Sequence, residues 1–100
     1  RLGKALRAPD MSAAGFSLIG GRLLPDRGKP AAQFMYEDKE GRRVTLYVRA
    51  GGARDTAFKF IHADGASAFY WIDDAFGYAL IGDIPRDRLL HLARIAYGVL

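Results

Sequence analysis

One hundred residues, of which 50% are hydrophobic, 12% aromatic and 26% charged, make one globular domain with a single core, and this excludes a disordered segment, which lacks aromatics to bury. The absence of cysteine excludes a disulfide scaffold, a thiolate zinc site and a cysteine nucleophile. The net charge of +4 comes from residues 1–30, where Arg1, Lys4, Arg7, Arg22, Arg27 and Lys29 face only Asp10 and Asp26, while residues 31–100 hold nine charges of each sign.

No run approaches the roughly 20 apolar residues that span a bilayer, and no basic-then-apolar signal segment opens the chain. It begins at Arg1 rather than Met, which leads us to expect a piece of a longer protein whose targeting segment or anchor lies elsewhere.

Residues 1–9 lack a clean apolar period and are expected to be a tail or linker, with a single domain over 10–100. Asp10 can cap one or two helical turns through Ala14, and Gly15 can stop them. From Phe16 the period becomes two, predicting a strand through Leu24 with a bend or bulge at Gly20-Gly21. Residues 25–30, rich in Pro, Gly and Asp, read as a loop.

The clearest hairpin joins 33–37 to 44–48 across Asp38-Lys39-Glu40-Gly41. In its second strand Val44, Leu46 and Val48 share one face and Thr45, Tyr47 and Arg49 the other. Further strands are expected over 56–62, 68–72 and 76–81, and connections this short predict an antiparallel meander. A final helix follows Pro85, with Leu89, Leu92, Ala93, Ala96, Tyr97 and Leu100 on one face and Asp87, His91, Arg94 and Gly98 on the other. The expected architecture is α+β: a curved antiparallel meander of about six strands, with a short N-terminal helix and a C-terminal amphipathic helix packed on one face.

Little here points to chemistry. His62 and His91 each lack a second His, Cys or carboxylate at ligand spacing, so both read as surface histidines. Asp73-Asp74, Asp64 and Asp83 lie in turns, where Asp is expected for turn geometry alone. Ser12, Ser17 and Ser67 sit in no nucleophile elbow, and Gly20-Gly21 and Gly51-Gly52 lead no strand into a helix, as a phosphate loop would. No enzyme, catalytic residue, metal site or cofactor is therefore expected, and no ligand-binding residue is assigned. Phe34, Tyr36, Phe58, Phe60, Phe69, Tyr70 and Trp71 fall on strands, as stacking aromatics do in RNA-binding sheets. Without an interleaved stripe of Arg and Lys they read as core, so no nucleic-acid partner is expected.

Two segments carry a family resemblance. The first is residues 9–25, PDMSAAGFSLIGGRLLP; the second is residues 69–85, FYWIDDAFGYALIGDIP, leading into Leu89-Leu90-His91-Leu92-Ala93. With Ala31-Ala32-Gln33-Phe34-Met35-Tyr36 and Thr45-Leu46-Tyr47-Val48 between them, they resemble the C-terminal periplasmic region of proteobacterial transmembrane anti-sigma factors, over roughly residues 9–98. The resemblance implies a non-catalytic sensing or scaffolding domain on the periplasmic side of the inner membrane, in a single-pass protein. Its cytoplasmic domain, outside these residues, would hold an extracytoplasmic-function sigma factor. An envelope protein or a protease would be the partner on this side, and a long edge strand leaves a homodimer open. The alternative from the residues alone is a periplasmic module for a hydrophobic ligand or lipid, held between sheet and helix. Within the pattern Gly77 and Gly82 would relieve close packing, and Trp71 and Tyr78 would pair across strands.

Overall fold

A computed structural model describes residues 8–26, 28–50, 59–63, 65–73 and 76–99. Six strands and one helix follow in order: β1 (Ser17–Asp26), β2 (Lys29–Glu37), β3 (Arg43–Ala50), β4 (Lys59–Ala63), β5 (Ala66–Asp73), β6 (Phe76–Gly82) and α1 (Arg86–Val99). The fold is α+β, a six-stranded antiparallel sheet with a C-terminal helix. The strand order is β1-β2-β3-β6-β5-β4. Each half is a three-stranded meander, but the chain jumps after β3 to the far edge and returns, so β3 pairs with β6. A simple meander would have set β4 there.

The turns follow from local chemistry. Asp26 pairs with Lys29 and Ala63 with Ala66, so two residues close each hairpin, and the second of each pair is a glycine with positive φ, Gly28 at 79° and Gly65 at 77°. Such φ values favour glycine, and they suit the right-handed twist of the strands. The loop expected over 25–30 is thus shorter, because strand pairing continues through Asp26 and resumes at Lys29.

Between β2 and β3 the Asp38 carboxylate organises the turn. It accepts hydrogen bonds from the Glu40 N–H (3.0 Å), the Arg42 N–H (2.8 Å) and Arg42 Nε (2.9 Å). Burial raises the Asp38 pKa, but the bonds from Arg42 and Glu40 outweigh it and hold the carboxyl below its usual value. Arg88 of α1 reaches the same carboxylate at 3.9 Å, tying helix to hairpin.

Register assigns the two faces. Inward lie Tyr36, Val44, Gly82, Ser67 and His62 in one row, Phe34, Leu46, Leu80, Phe69 and Phe60 in the next, then Ala32, Val48, Tyr78 and Trp71. Most of these are buried, and with Leu89, Leu92, Ala93 and Ala96 of α1 they form the core. Trp71 and Tyr78 are direct partners with rings stacked at 5.2 Å and 13°, as the sequence suggested.

Gly82 allows this face to close. A β-carbon there would meet Val44 Cγ1 at 2.5 Å and the Arg43 carbonyl at 3.2 Å. The parallel expectation for Gly77 is corrected: it faces outward, and its nearest neighbour would be Arg49 Cγ at an ordinary 3.6 Å.

The short N-terminal helix is a single 3₁₀ turn, Ser12–Ala14. Met11 holds the capping position, and Asp10 acts one residue earlier, its Oδ1 accepting the Ser12 N–H at 2.9 Å. Gly15, at φ 86°, ends the turn as expected. The turn drives Met11 and Phe16 into the core. Pro9, assigned to the tail from sequence, is buried with its carbonyl accepting the Tyr36 hydroxyl at 2.8 Å, and Ala8 packs beside the core.

Two further details differ from the sequence reading. The irregularity in β1 falls between Leu18 and Gly20, so Ile19 is the extra residue just before the glycine pair. Tyr97, placed on the apolar helix face by its spacing, is 50% exposed. Strand residues 56–58 and Leu100 lie outside the described residues.

Candidate functional site

Where β4 and β5 meet the start of α1, Phe60, His62, Ser67, Asp83, Ile84, Pro85 and Arg86 line a surface cavity of about 510 Å³. Three local features build it. The β4–β5 register places His62 directly opposite Ser67 on the inward face. The Gly82-Asp83-Ile84-Pro85 segment turns the chain from β6 into the helix, where the Leu89 N–H donates to the Pro85 carbonyl at 3.0 Å. Arg86, the first helical residue, then lays its guanidinium over the Phe60 ring at 4.8 Å. Phe60 in turn packs on Phe69 at 4.9 Å with rings tilted by 50°.

His62 Nδ1 and Ser67 Oγ share a hydrogen bond of 2.8 Å. Ser67 is buried while His62 is exposed. That separation is within reach of a nucleophile and its base, an arrangement that also requires a third group to orient the base. Asp83 lines the same cavity, but among the described residues no hydrogen bond joins it to His62. The bond satisfies the buried Ser67 hydroxyl and spans the directly paired positions of β4 and β5. The cavity walls are chemically mixed: an aromatic ring, Ile84 and Pro85 beside one cation, one carboxylate, an imidazole and a hydroxyl.

The remaining polar residues weighed from sequence are scattered. His91 is exposed on α1 and borders a separate cavity of about 240 Å³ with Ala14, Phe16, Asp87, Arg88 and Leu92. There Arg88 lies over the Phe16 ring at 5.5 Å. Ser12 and Ser17 are exposed. Asp64 and Asp74 lie outside the described residues, and of Asp73 only the backbone, at the end of β5, is described. Among the described residues no three His, Cys, Asp or Glu side chains gather as metal ligands.

Sequence reasoning missed the His62–Ser67 pair. A signal was present: if Asp64-Gly65 is taken as a two-residue hairpin, residues 63 and 66 pair, and 62 then faces 67.

No family model matches the chain, and no curated protein matches it. Among the described residues no helix is long and apolar enough to cross a membrane.

Proposed function

We propose that this chain is the extracytoplasmic sensing or scaffolding domain of a membrane-anchored anti-sigma factor. In this reading it relays the state of the envelope, without catalysis, to a cytoplasmic domain that holds an extracytoplasmic-function sigma factor. The full-length protein crosses the inner membrane once, and an envelope protein or protease is the partner outside.

One observation carries the reading: the two segments that resemble the family pack on each other. Met11 and Phe16, from residues 9–25, share a core with Trp71, Tyr78 and Leu80 from residues 69–85 and with Leu89 and Leu92 beyond them. Arg88 over Phe16 joins the same two regions at the surface. A relay needs coupling between segments, and a packed core that both share can carry it. We take the sheet to curve over α1, with the 3₁₀ turn closing the side that the helix leaves.

The filled inward face supports a scaffold over a carrier of hydrophobic ligands. Leu46, Leu80, Leu89, Ala93 and Ala96 are at zero exposure, and the cavities beside Ser67 and His91 lie where α1 meets the rim of this face.

The test is genetic. In the full-length protein, residues 10–100 are replaced by an unrelated folded domain and a sigma-dependent reporter is read with and without envelope stress. The expected result is a reporter that no longer follows the stress. A response unchanged by the replacement, or a gene encoding neither a membrane span nor a sigma-binding domain upstream, would overturn the proposal.

A further inference from the structure

The outward face of the sheet carries a second, unassigned surface. One row across it reads Met35, Thr45, Ile81, Ala68 and Ile61, contributed by β2, β3, β6, β5 and β4 in turn. The next runs Arg22, Gln33, Tyr47, Ala79, Tyr70 and Lys59 from one edge of the sheet to the other. Ile61 is 49% exposed and Tyr47 40%, and α1 packs on the opposite face. An apolar centre with a cation at each edge is thus displayed on a surface that no described element covers.

Charge decides what can lie on it. Arg22, Arg43 and Lys59 are exposed there, and Glu37, a described carboxylate on the same face, bonds Arg43 at 3.0 Å. A second copy of the chain laid face to face would bring like charges together. Single-stranded nucleic acid would welcome the cations but needs rings for its bases. Tyr47 and Tyr70 are outnumbered by Met35, Ile61, Ile72 and Ile81, which cannot stack. Aliphatics and tyrosines beside Lys and Arg are the composition that settles at the boundary of headgroups and acyl chains.

We infer that the outward sheet face binds the surface of an anionic lipid bilayer, with Arg22 and Lys59 over lipid phosphates and Ile61 at the acyl boundary. The inference requires no membrane anchor, so it stands or falls apart from the anti-sigma reading.

The experiment is sedimentation of the purified chain with vesicles of phosphatidylglycerol and phosphatidylcholine, set against pure phosphatidylcholine. Binding to the anionic vesicles alone, weakening as salt rises, is expected. An Arg22→Glu, Lys59→Glu double variant should lose at least tenfold in affinity, since each cation near an anionic surface is worth roughly fivefold. Ile61→Ser should weaken binding while leaving its salt dependence in place. Circular dichroism of each variant confirms that it is folded. Arg94→Glu, on the exposed side of α1, should bind as the parent does. Equal binding to both vesicle types, or no binding, would overturn the inference. So would an Arg94→Glu loss matching the double variant's, or tighter binding to a single-stranded oligonucleotide at the same salt.

Discussion

The two faces of the sheet share the same strands, and both carry large apolar side chains, yet one is sealed and the other is not. On β3 the inward residues Val44, Leu46 and Val48 are at most 1% exposed, while Tyr47 and Arg49, one position away, are exposed. On β5 and β6 the contrast is gentler, because Ala68, Tyr70, Ile72, Ala79 and Ile81 are half-buried by one another. The difference teaches that alternation chooses the face, but burial depends on a covering element. Inward, α1 and the 3₁₀ turn supply it. Outward, side chains shelter only their neighbours and leave a surface suited to a flat partner.

Truncating adjacent aromatics breaks the comparison most sharply. Trp71 is 1% exposed and stacked on Tyr78, whereas Tyr70 beside it faces outward. Trp71→Ala should cost about 3–5 kcal/mol, the range for a large aromatic removed from a packed core. Tyr70→Ala should cost about 1 kcal/mol or less, the scale of cross-strand pairs on an open face. Urea unfolding of both variants measures the difference, and similar losses would mean that the outward face is covered after all.

Glycine substitution applies the same contrast to the backbone. An added methyl at Gly82 would overlap Val44, on a central strand pinned between β3 and β5. Gly82→Ala should therefore destabilise by about 1–3 kcal/mol, as overpacking does. Gly77→Ala meets only the flexible stem of Arg49 at contact distance and should change stability by no more than about 0.5 kcal/mol. Thermal unfolding of the pair reads this directly.

These two glycines also mark where the sequence stops being legible. Both stand in one strand, where alternation puts them on opposite faces, but only the pairing of Val44 with Gly82 shows which of them meets a close neighbour. That pairing follows from the jump after β3, a non-local choice that turn chemistry and periodicity leave open. Local features were readable: the faces of β3, the Asp38–Gly41 hairpin, the Trp71–Tyr78 pair and the buried stripe of Leu89, Leu92, Ala93 and Ala96. Tyr97 fits the same stripe by spacing but stays half-exposed, since periodicity cannot show how far the sheet extends beneath a helix. The cavity was illegible for a similar reason. Its walls come from Phe60, His62 and Ser67 on the strands and from residues 83–86, brought together where the chain turns from β6 into α1.

The smallest effect separates two tyrosine hydroxyls. Tyr36 donates a buried hydrogen bond to the Pro9 carbonyl at 2.8 Å, while the Tyr47 hydroxyl accepts an exposed one from Gln33 Nε2 at 3.3 Å. Tyr36→Phe should cost about 1 kcal/mol, because it removes the bond and leaves that carbonyl short of a partner. Tyr47→Phe should cost less than about 0.5 kcal/mol. pH gives a second reading of Tyr36. Burial, reinforced by the nearby Asp10 carboxylate, pushes its pKa well above the usual tyrosine value. Because the folded pKa lies above the unfolded one, its stabilising contribution is complete below the unfolded pKa of about 10 and declines as pH rises beyond it. Phenolate absorbance should then show the Tyr36 proton retained until alkali unfolds the domain. Tyr36→Phe should flatten the fall of stability above that pH. An equally steep alkaline limb in the variant would place the alkaline sensitivity elsewhere and reduce the Pro9 bond to a local contact.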